Sequence, residues 1–421
     1  MRNILVTSAL TALFFLVLTG LVLYKVLLIS NLAFLTSAWT VYGLIATVFL
    51  ISRIPYAYLY RDDHTVVYPG AAYPTVSIII AAMNEEAGIA RTIETCLASE
   101  YPAAIEIIVV DDGSTDGTNA AVSAVVEKYP TRVKLISFAV TQGKREAMAA
   151  GITESQYDLL VFVDSDSFLA PSAVRHVAEH FIKDQRIGAV AGNTKVENID
   201  ENYLTKMQSI QYAVSFDIYK ASESVHRSVT CCPGCFSAYR ASAVRSLARE
   251  WKNQRFMGTK ATFGDDRALT NFILMNWDIV YCEGARATTV VPKRFRVYWK
   301  QQLRWKKSWV REGLFAGLFM WKRHPLASFA FYTNFSFPFV GPILTGFVLV
   351  RSIMTENPAL FLIFIAGFML LGLMFAIFAR IHLNARYWYY MPIFSAFFVG
   401  VFMWQMPYAM LTLRKTHWGT R

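Results

Sequence analysis

Long apolar runs, nearly free of charge, open and close this chain, and a polar stretch separates them. The first run extends from Ile4 to about Ile29 and the second from about Leu32 to Ile51. Each is long enough to cross a bilayer; the first is too long for the core of a signal peptide and lacks a small-residue cleavage site. Three more runs, roughly Leu326–Val350, Ala359–Ala379 and Trp388–Leu411, close the chain. Such a pattern calls for one water-soluble domain set between membrane segments rather than two globular domains. The totals agree: 55% of the 421 residues are hydrophobic and 17% are charged, too apolar for an ordinary soluble protein.

Cations set the expected orientation. Arg2 precedes the first run, and Arg53 and Arg61 follow the second. Two crossings leave both flanks on one side, so the positive-inside rule puts the middle domain in the cytosol. Arg414, Lys415 and Arg421 follow the last run, and three complete crossings would leave them outside. That run is therefore expected to break at Pro392, Gly400 or Pro407 into a re-entrant hairpin, tolerated where the freed backbone is buried in protein. The net charge of +11 reads as this charge rule plus contact with anionic lipid, and not as a nucleic-acid surface. The five cysteines all fall in the polar middle; an odd number without paired spacing argues for a reduced, cytosolic domain.

From Pro74 the pattern changes. Thr75–Ala81, Ala104–Val110, Val133–Ser137 and Asp158–Val163 are short β-branched or apolar runs alternating with helical stretches. That alternation implies an α/β unit with a mainly parallel sheet and helices on both faces. Ligands of such sheets bind beyond the carboxyl ends of the strands, where Asn84-Glu85, Asp111-Asp112 and Asp164-Ser165-Asp166 fall. No G-x-G-x-x-G and no P-loop is present, which disfavours a dinucleotide-dependent dehydrogenase and a P-loop ATPase.

Five clusters can carry chemistry. Asp164-x-Asp166 offers hard oxygen ligands suited to Mg²⁺ or Mn²⁺, which also binds a diphosphate; alone, the pair reads equally as a solvated turn. Asp111-Asp112-Gly113-Ser114 can accept hydrogen bonds from a base or ribose, or simply cap a helix. Gly143-Lys144-Arg145 opens a helix with two cations, as a diphosphate prefers. One acid of Phe263-Gly264-Asp265-Asp266-Arg267 can act as a general base toward a hydroxyl. Gln301-Gln302-Leu303-Arg304-Trp305 lies in a stretch, Arg294–Trp309, that mixes aromatics with cations, the composition of a helix lying in a membrane interface. Cys232-Pro233-Gly234-Cys235 has no second ligand pair for zinc and reads as a tight turn.

The order of these clusters, flanked by apolar runs, resembles the processive family 2 glycosyltransferases, a family that includes cellulose, chitin and hyaluronan synthases. Phe263–Asn271, Lys300–Glu312 and the tail Leu411–Arg421 look most like the bacterial class I hyaluronan synthases, and the resemblance covers essentially the whole chain. It implies a GT-A-type domain with a mixed, mainly parallel sheet plus a helical transmembrane bundle. It further implies two leading transmembrane helices in 1–55, the transferase at 70–290, amphipathic interface helices at 291–324, and transmembrane helices, hairpin and cytosolic tail at 325–421. By the same resemblance Glu85, Asp111, Lys144 and Asp164 contact the nucleotide, Asp166 holds Mg²⁺ or Mn²⁺, and Asp266 is the base. Arg304 stabilises the leaving diphosphate. Asp265, Cys232, Pro233, Gly234, Gln301 and Trp305 line the acceptor site, and Trp418 and Arg421 close it from the membrane side. The implied partners are UDP-sugar donors, the growing polysaccharide and the lipid bilayer, with the protein acting as a monomer in the cell membrane.

One departure leaves the sugar open. Hyaluronan synthases usually carry Ser-Gly-Pro in the loop facing the acceptor, whereas Cys231–Ser237 here is closer to chitin synthases. Val290-Val291-Pro292 after Thr288-Thr289 resembles rhizobial chito-oligosaccharide synthases. The expected product is hyaluronan, from UDP-glucuronate and UDP-N-acetylglucosamine; the alternatives are a chitin-type polymer of one sugar and, from another class, a non-catalytic transporter.

Overall fold

The computed structural model describes residues 34–62 and 72–414, with six isolated positions between 12 and 23. Apart from those positions the first apolar run lies outside the described residues, as do Trp418 and Arg421.

The first described helix, α1 (Phe34–Leu59), starts close to where the second apolar run does but continues eight residues further. Arg53, read above as a cation beyond the membrane segment, therefore lies inside the helix, and it is buried. The apolar run ended at a charge, but neighbouring elements cover that charge and the helix goes on.

The polar middle folds around an eight-stranded sheet of order β3-β2-β1-β4-β7-β6-β10-β5. The strands are β1 (Val76–Ala82), β2 (Ile105–Asp111), β3 (Val133–Ser137), β4 (Leu159–Phe162), β5 (Ser167–Leu169), β6 (Ile187–Val196), β7 (Ser237–Arg240) and β10 (Asp278–Thr289); β8 (Arg255–Phe256) and β9 (Thr259–Lys260) form a separate ribbon. β1 runs parallel to both β2 and β4, so the loops after all three emerge at one edge. The near-continuous Ile/Val content of these strands follows from burial on both faces. Where β1 and β2 carry polar side chains, those pair: the Ser77 hydroxyl donates to Glu106 at 2.6 Å.

The sheet is mixed because β7 is antiparallel to β4 and β6, and β5 to β10. That last pairing sets Thr289 opposite Ser167. β6 has two glycines, poor strand formers, each in the shadow of a large ring. A Cβ at Gly188 would lie 2.4 Å from Trp277, and one at Gly192 2.2 Å from Phe236.

Helices cover the sheet: α2 (Ile89–Leu97), α3 (Thr118–Lys128), α4 (Lys144–Glu154), α5 (Ala173–Lys183), α6 (Tyr203–Ala213), α7 (Ala241–Lys252) and α8 (Asp265–Leu274). α6 continues through the π-turn Val214–Lys220. The long α9 (Phe295–Gly317) leads to α10 (Pro325–Met354) and α11 (Ala359–His382). Among the described residues three helices are long and apolar enough to cross a membrane: Val41–Leu59 within α1, α10 and α11. The last apolar stretch divides into Trp388–Phe402, which contains α12 (Met391–Phe397), and α13 (Gln405–Leu411), bent by 42° at the break. The break falls after Phe402, between Gly400 and Pro407, and not at Pro392.

The apolar helices and the middle domain share a core. Ile54 of α1, Ile210, Val214 and Ile218 of α6 and its extension, and Met374, Phe375 and Phe378 of α11 form one cluster. The Tyr60 hydroxyl donates to the Tyr281 carbonyl at 2.6 Å, tying the end of α1 to β10.

Candidate active site

The rim of the site is built by the loops after β1 and β2. Asn84, at a φ of 54°, accepts from the Thr115 N–H at 2.8 Å. The Glu85 N–H donates to the Thr118 hydroxyl at 2.8 Å. Asp111 is buried and accepts from the Ser114 N–H and the Asn119 amide, each at 3.0 Å. Asp112 is buried too and accepts from the N–H groups of Gln142 and Gly143, at 2.7 and 3.0 Å. Asp111, expected to face the nucleotide, thus has its carboxylate turned into the loop it organises. Asp112 holds the segment leading into α4, where Gly143 takes a φ of 99°.

Lys144 opens α4, and its ammonium bonds the Asp164 carboxylate. Burial disfavours that charge, yet Asp164, with Asp266 and Asp265 nearby, holds the ammonium above its usual range. Lys144 therefore pairs with the acid after β4 and feels the charge of the acids that open α8. The Cys232-Pro233-Gly234 turn lies against the same carboxylate: a Cβ at Gly234 would sit 3.0 Å from an Asp164 oxygen. The turn is anchored to α8, where the Cys232 N–H donates to Thr270 at 2.9 Å and Thr270 donates to the Asp266 carbonyl at 2.7 Å.

Asp166 is 8% exposed and is steadied by the end of β10. The Thr289 hydroxyl donates to its carboxylate at 3.4 Å, and the Val290 N–H to its carbonyl at 3.3 Å. Burial, with Asp164 and Asp166 close by, pushes the Cys235 thiol well up, so it stays protonated beside them. Tyr212 of α6 feels the same two carboxylates and its phenol is likewise raised, chiefly by burial. The two carboxylates offer hard oxygen donors, which fit Mg²⁺ or Mn²⁺. Sequence reading missed Tyr212, took Cys235 only as the end of a tight turn and gave Thr289 no role beside Asp166, because the fold alone brings α6, that turn and the end of β10 near these carboxylates.

The two acids of α8 separate cleanly. Asp265 is 4% exposed and pairs with the buried Arg145 guanidinium at 2.6 Å. Arg145 also donates to the Trp251 carbonyl at 3.1 Å and to Gln254 at 3.0 Å. Asp265 and Arg145 therefore brace the fold against each other, and Arg145 is further tied to Trp251 and Gln254. Asp266 is half-buried and accepts from the Arg267 N–H at 2.8 Å; it is the acid within electrostatic reach of both Lys144 and Cys231.

α9 is wedged against this turn. Gly264, at a φ of 73°, has no room for a side chain: its Cβ would fall 1.8 Å from the Ser308 hydroxyl. Arg311 donates to the Phe263 carbonyl, and the Asn271 amide to the Glu312 carbonyl at 2.9 Å. Gln301, Arg304 and Ser308 are spaced to share one helix face, so the face that meets Gly264 also carries Gln301 and Arg304. Trp305 beside them is 41% exposed.

Lys306 points elsewhere, to the break in the last apolar stretch. Its ammonium donates to the Phe402 carbonyl at 2.8 Å and to Gln405 at 2.7 Å, supplying a partner where the helix gives none. Burial pushes this amine down to about 7 from 10.5. At pH values between those two the unfolded chain binds the extra proton, so stability rises with pH across that window. The thermal midpoint is expected to climb from pH 7 to pH 9.5 in the wild type and to flatten in Lys306→Met. An equal slope in both would detach Lys306 from the effect.

The "Glycosyltransferase like family 2" profile matches residues 74–308, the span from the start of β1 to Ser308. Hyaluronan synthase of Streptococcus pyogenes is 28% identical over 421 residues, covering 96% of this chain and 97% of that one. N-acetylglucosaminyltransferases are 34% identical over 284 residues in Mesorhizobium japonicum (65% of this chain, 66% of that one) and 33% over 289 residues in Rhizobium meliloti (67% of each). Among solved structures, the mannosyltransferase PcManGT from Pyrobaculum calidifontis, in complex with GDP-Man and Mn²⁺, superposes with a TM-score of 0.53 at 17% identity. It covers 82% of this chain and 99% of its own. That likeness carries the fold: a GT-A-type domain with the mixed, mainly parallel sheet described above, here joined to helices of membrane-spanning length. With the profile spanning more than half its length, the chain belongs to glycosyltransferase family 2.

Proposed function

We propose that this chain is a processive polysaccharide synthase of the cell membrane, extending hyaluronan from UDP-glucuronate and UDP-N-acetylglucosamine. The observation that carries the reading is the junction of Lys144, Asp164, Asp266 and the Cys232–Gly234 turn, closed by the α9 face bearing Gln301 and Arg304. The full-length likeness to hyaluronan synthase supports the product.

In this reading the diphosphate of the donor meets the Lys144 ammonium, kept charged by its acids, with Arg304 on the side that α9 closes. Glu85 belongs to the nucleotide rim. Asp166, aided by Asp164, would hold Mg²⁺ or Mn²⁺, whose charge helps the diphosphate leave. Asp266 takes the proton from the acceptor hydroxyl, and the freed oxygen attacks the anomeric carbon as the bond to UDP breaks, inverting its configuration. Trp305, exposed on α9, offers a ring to the acceptor sugar. The transferase faces the cytosol, the chain crosses the membrane several times and works as a monomer, and the bent last stretch returns the tail so that Trp418 and Arg421 close the site.

A second reading has its own support. The N-acetylglucosaminyltransferases are 34% and 33% identical over 284 and 289 residues, and the Cys-Pro-Gly turn lies against Asp164. It makes the product a polymer of N-acetylglucosamine alone. Membranes given each UDP-sugar singly and then together decide between them. Polymer that requires both donors and is digested by hyaluronidase supports hyaluronan; polymer from UDP-N-acetylglucosamine alone overturns it. Chelation with EDTA is expected to lower transfer on the order of a hundredfold, with recovery on adding Mg²⁺ or Mn²⁺; unchanged transfer removes the metal from the scheme.

A further inference from the structure

Where the end of α1 reaches the transferase domain, Asp62, His180 of α5 and Cys282 of β10 converge. A carboxylate oxygen, a ring nitrogen and the sulfur all lie within 4.8 Å of one another. Among the described residues no other three His, Cys, Asp or Glu side chains come this close. All three are enclosed: the Asp62 and His180 side chains are 8% and 9% exposed, and Cys282 is fully buried. Asp62 Oδ1 and His180 Nε2 are 3.2 Å apart.

The surroundings hold these groups in place. β10 shifts register between Tyr281 and Arg286, and such an irregularity re-aims what a strand presents. Cys282 falls in that interval, and the Gly284 N–H donates to the second Asp62 oxygen at 2.7 Å. His176, one turn before His180 on α5, donates from Nδ1 to the Gly284 carbonyl at 2.8 Å. A carboxylate oriented by a backbone N–H has the outer support that metal ligands require.

One nitrogen, one sulfur and one oxygen form a borderline donor set, suited to Zn²⁺ and poorly suited to Mg²⁺ or Mn²⁺. Tetrahedral zinc keeps its ligand atoms about 3.3–3.8 Å apart, so the set has to contract by about 1.5 Å at most. The charges balance as well: a carboxylate and a thiolate neutralise the two positive charges of the ion in a setting where net charge is costly. Burial, with Asp62 beside it, pushes the Cys282 thiol well up. The sulfur thus keeps its proton until a metal takes the proton's place; the proton leaves to solvent, and neutral His180 turns the Nε2 lone pair to the ion. We infer that Asp62, His180 and Cys282 are a zinc site, with water in the fourth position, that fastens the end of α1 to α5 and β10. It differs from the Asp164 and Asp166 carboxylates in residues and in the class of metal it takes.

The test uses the full-length protein in phosphatidylcholine nanodiscs, stripped with EDTA and returned to saturating Mg²⁺ so that hard oxygen sites are filled. Co²⁺, a spectroscopic stand-in for zinc, is the probe. One equivalent is expected to raise the near-ultraviolet charge-transfer absorption of a cobalt–thiolate bond, and Zn²⁺ to abolish it by displacement. Cys282→Ser should remove the band. His180→Gln and Asp62→Asn should each weaken Co²⁺ binding by about tenfold or more. A wild type without the band overturns the inference and leaves a hydrogen-bonded cluster. A band that persists in Cys282→Ser, or unaltered affinity in the folded His180→Gln or Asp62→Asn variant, overturns it too. If the variants fail to fold, X-ray absorption at the zinc edge of the wild type decides. One sulfur among nitrogen and oxygen neighbours supports the site; two or more sulfurs, which Cys231, Cys232 and Cys235 could supply, or none, overturn it.

Discussion

Asp266→Asn is expected to lower sugar transfer by about 10²–10⁴-fold, the contribution typical of a positioned general base, while UDP affinity stays within about twofold of wild type. The amide fills the same space and its carbonyl oxygen can still accept from the Arg267 N–H, the contact that Asp266 makes at the start of α8. The Cys232 turn, held through the Asp266 carbonyl and Thr270, is untouched by the change. What disappears is a carboxylate able to take a proton beside Lys144. UDP release measured in single turnover, with UDP affinity by calorimetry, separates the two quantities. A matching fall in both would make Asp266 part of the scaffold and leave the reaction without its base.

Asp265→Ala is expected to act on stability, at about 3–5 kcal/mol, because it strands the buried Arg145 charge. The pair lies in a closed setting: Arg145 is also bonded to Trp251 and Gln254, and the Trp251 indole donates to the Asp265 carbonyl at 3.1 Å. Thermal unfolding of the solubilised protein should drop sharply for this variant. A double change of Arg145→Met with Asp265→Leu should restore much of the loss, since no charge is then left unpaired. Were Asp265 instead a contact for the acceptor, its loss would raise the acceptor KM at an undiminished unfolding midpoint.

The two predictions concern adjacent residues, and they mark where sequence reading stops. Asp265 and Asp266 are chemically alike and one bond apart; only the arrival of Arg145 from α4 distinguishes them, and no spacing in the chain announces that meeting. The Asp164-x-Asp166 cluster was legible because it follows a strand of unbroken apolar residues, and parallel strands send their carboxyl ends to one edge. The first four strands were legible for the same reason. β6 was not, since its glycines make a poor strand until Trp277 and Phe236 fill the space above them. β10 was hidden by the register shift between Tyr281 and Arg286, which interrupts its pattern. Arg53 misled as a boundary marker because hydropathy treats every arginine as exposed, whereas neighbouring elements enclose this one. The break in the last apolar stretch was anticipated from its prolines and glycine, but not its place after Phe402, where Lys306 from another helix meets the Phe402 carbonyl.

Gly264 and Ser308 touch with no space between them for an intervening atom. A joint so tight transmits displacement without slack. α9 runs on from Ser308 to the turn before α10, a helix of bilayer-crossing length, so the start of α8 is held by a helix that continues toward the apolar bundle. A side chain at position 264 has nowhere to go, so Gly264→Ala is expected to force the α9 helix and the first turn of α8 apart.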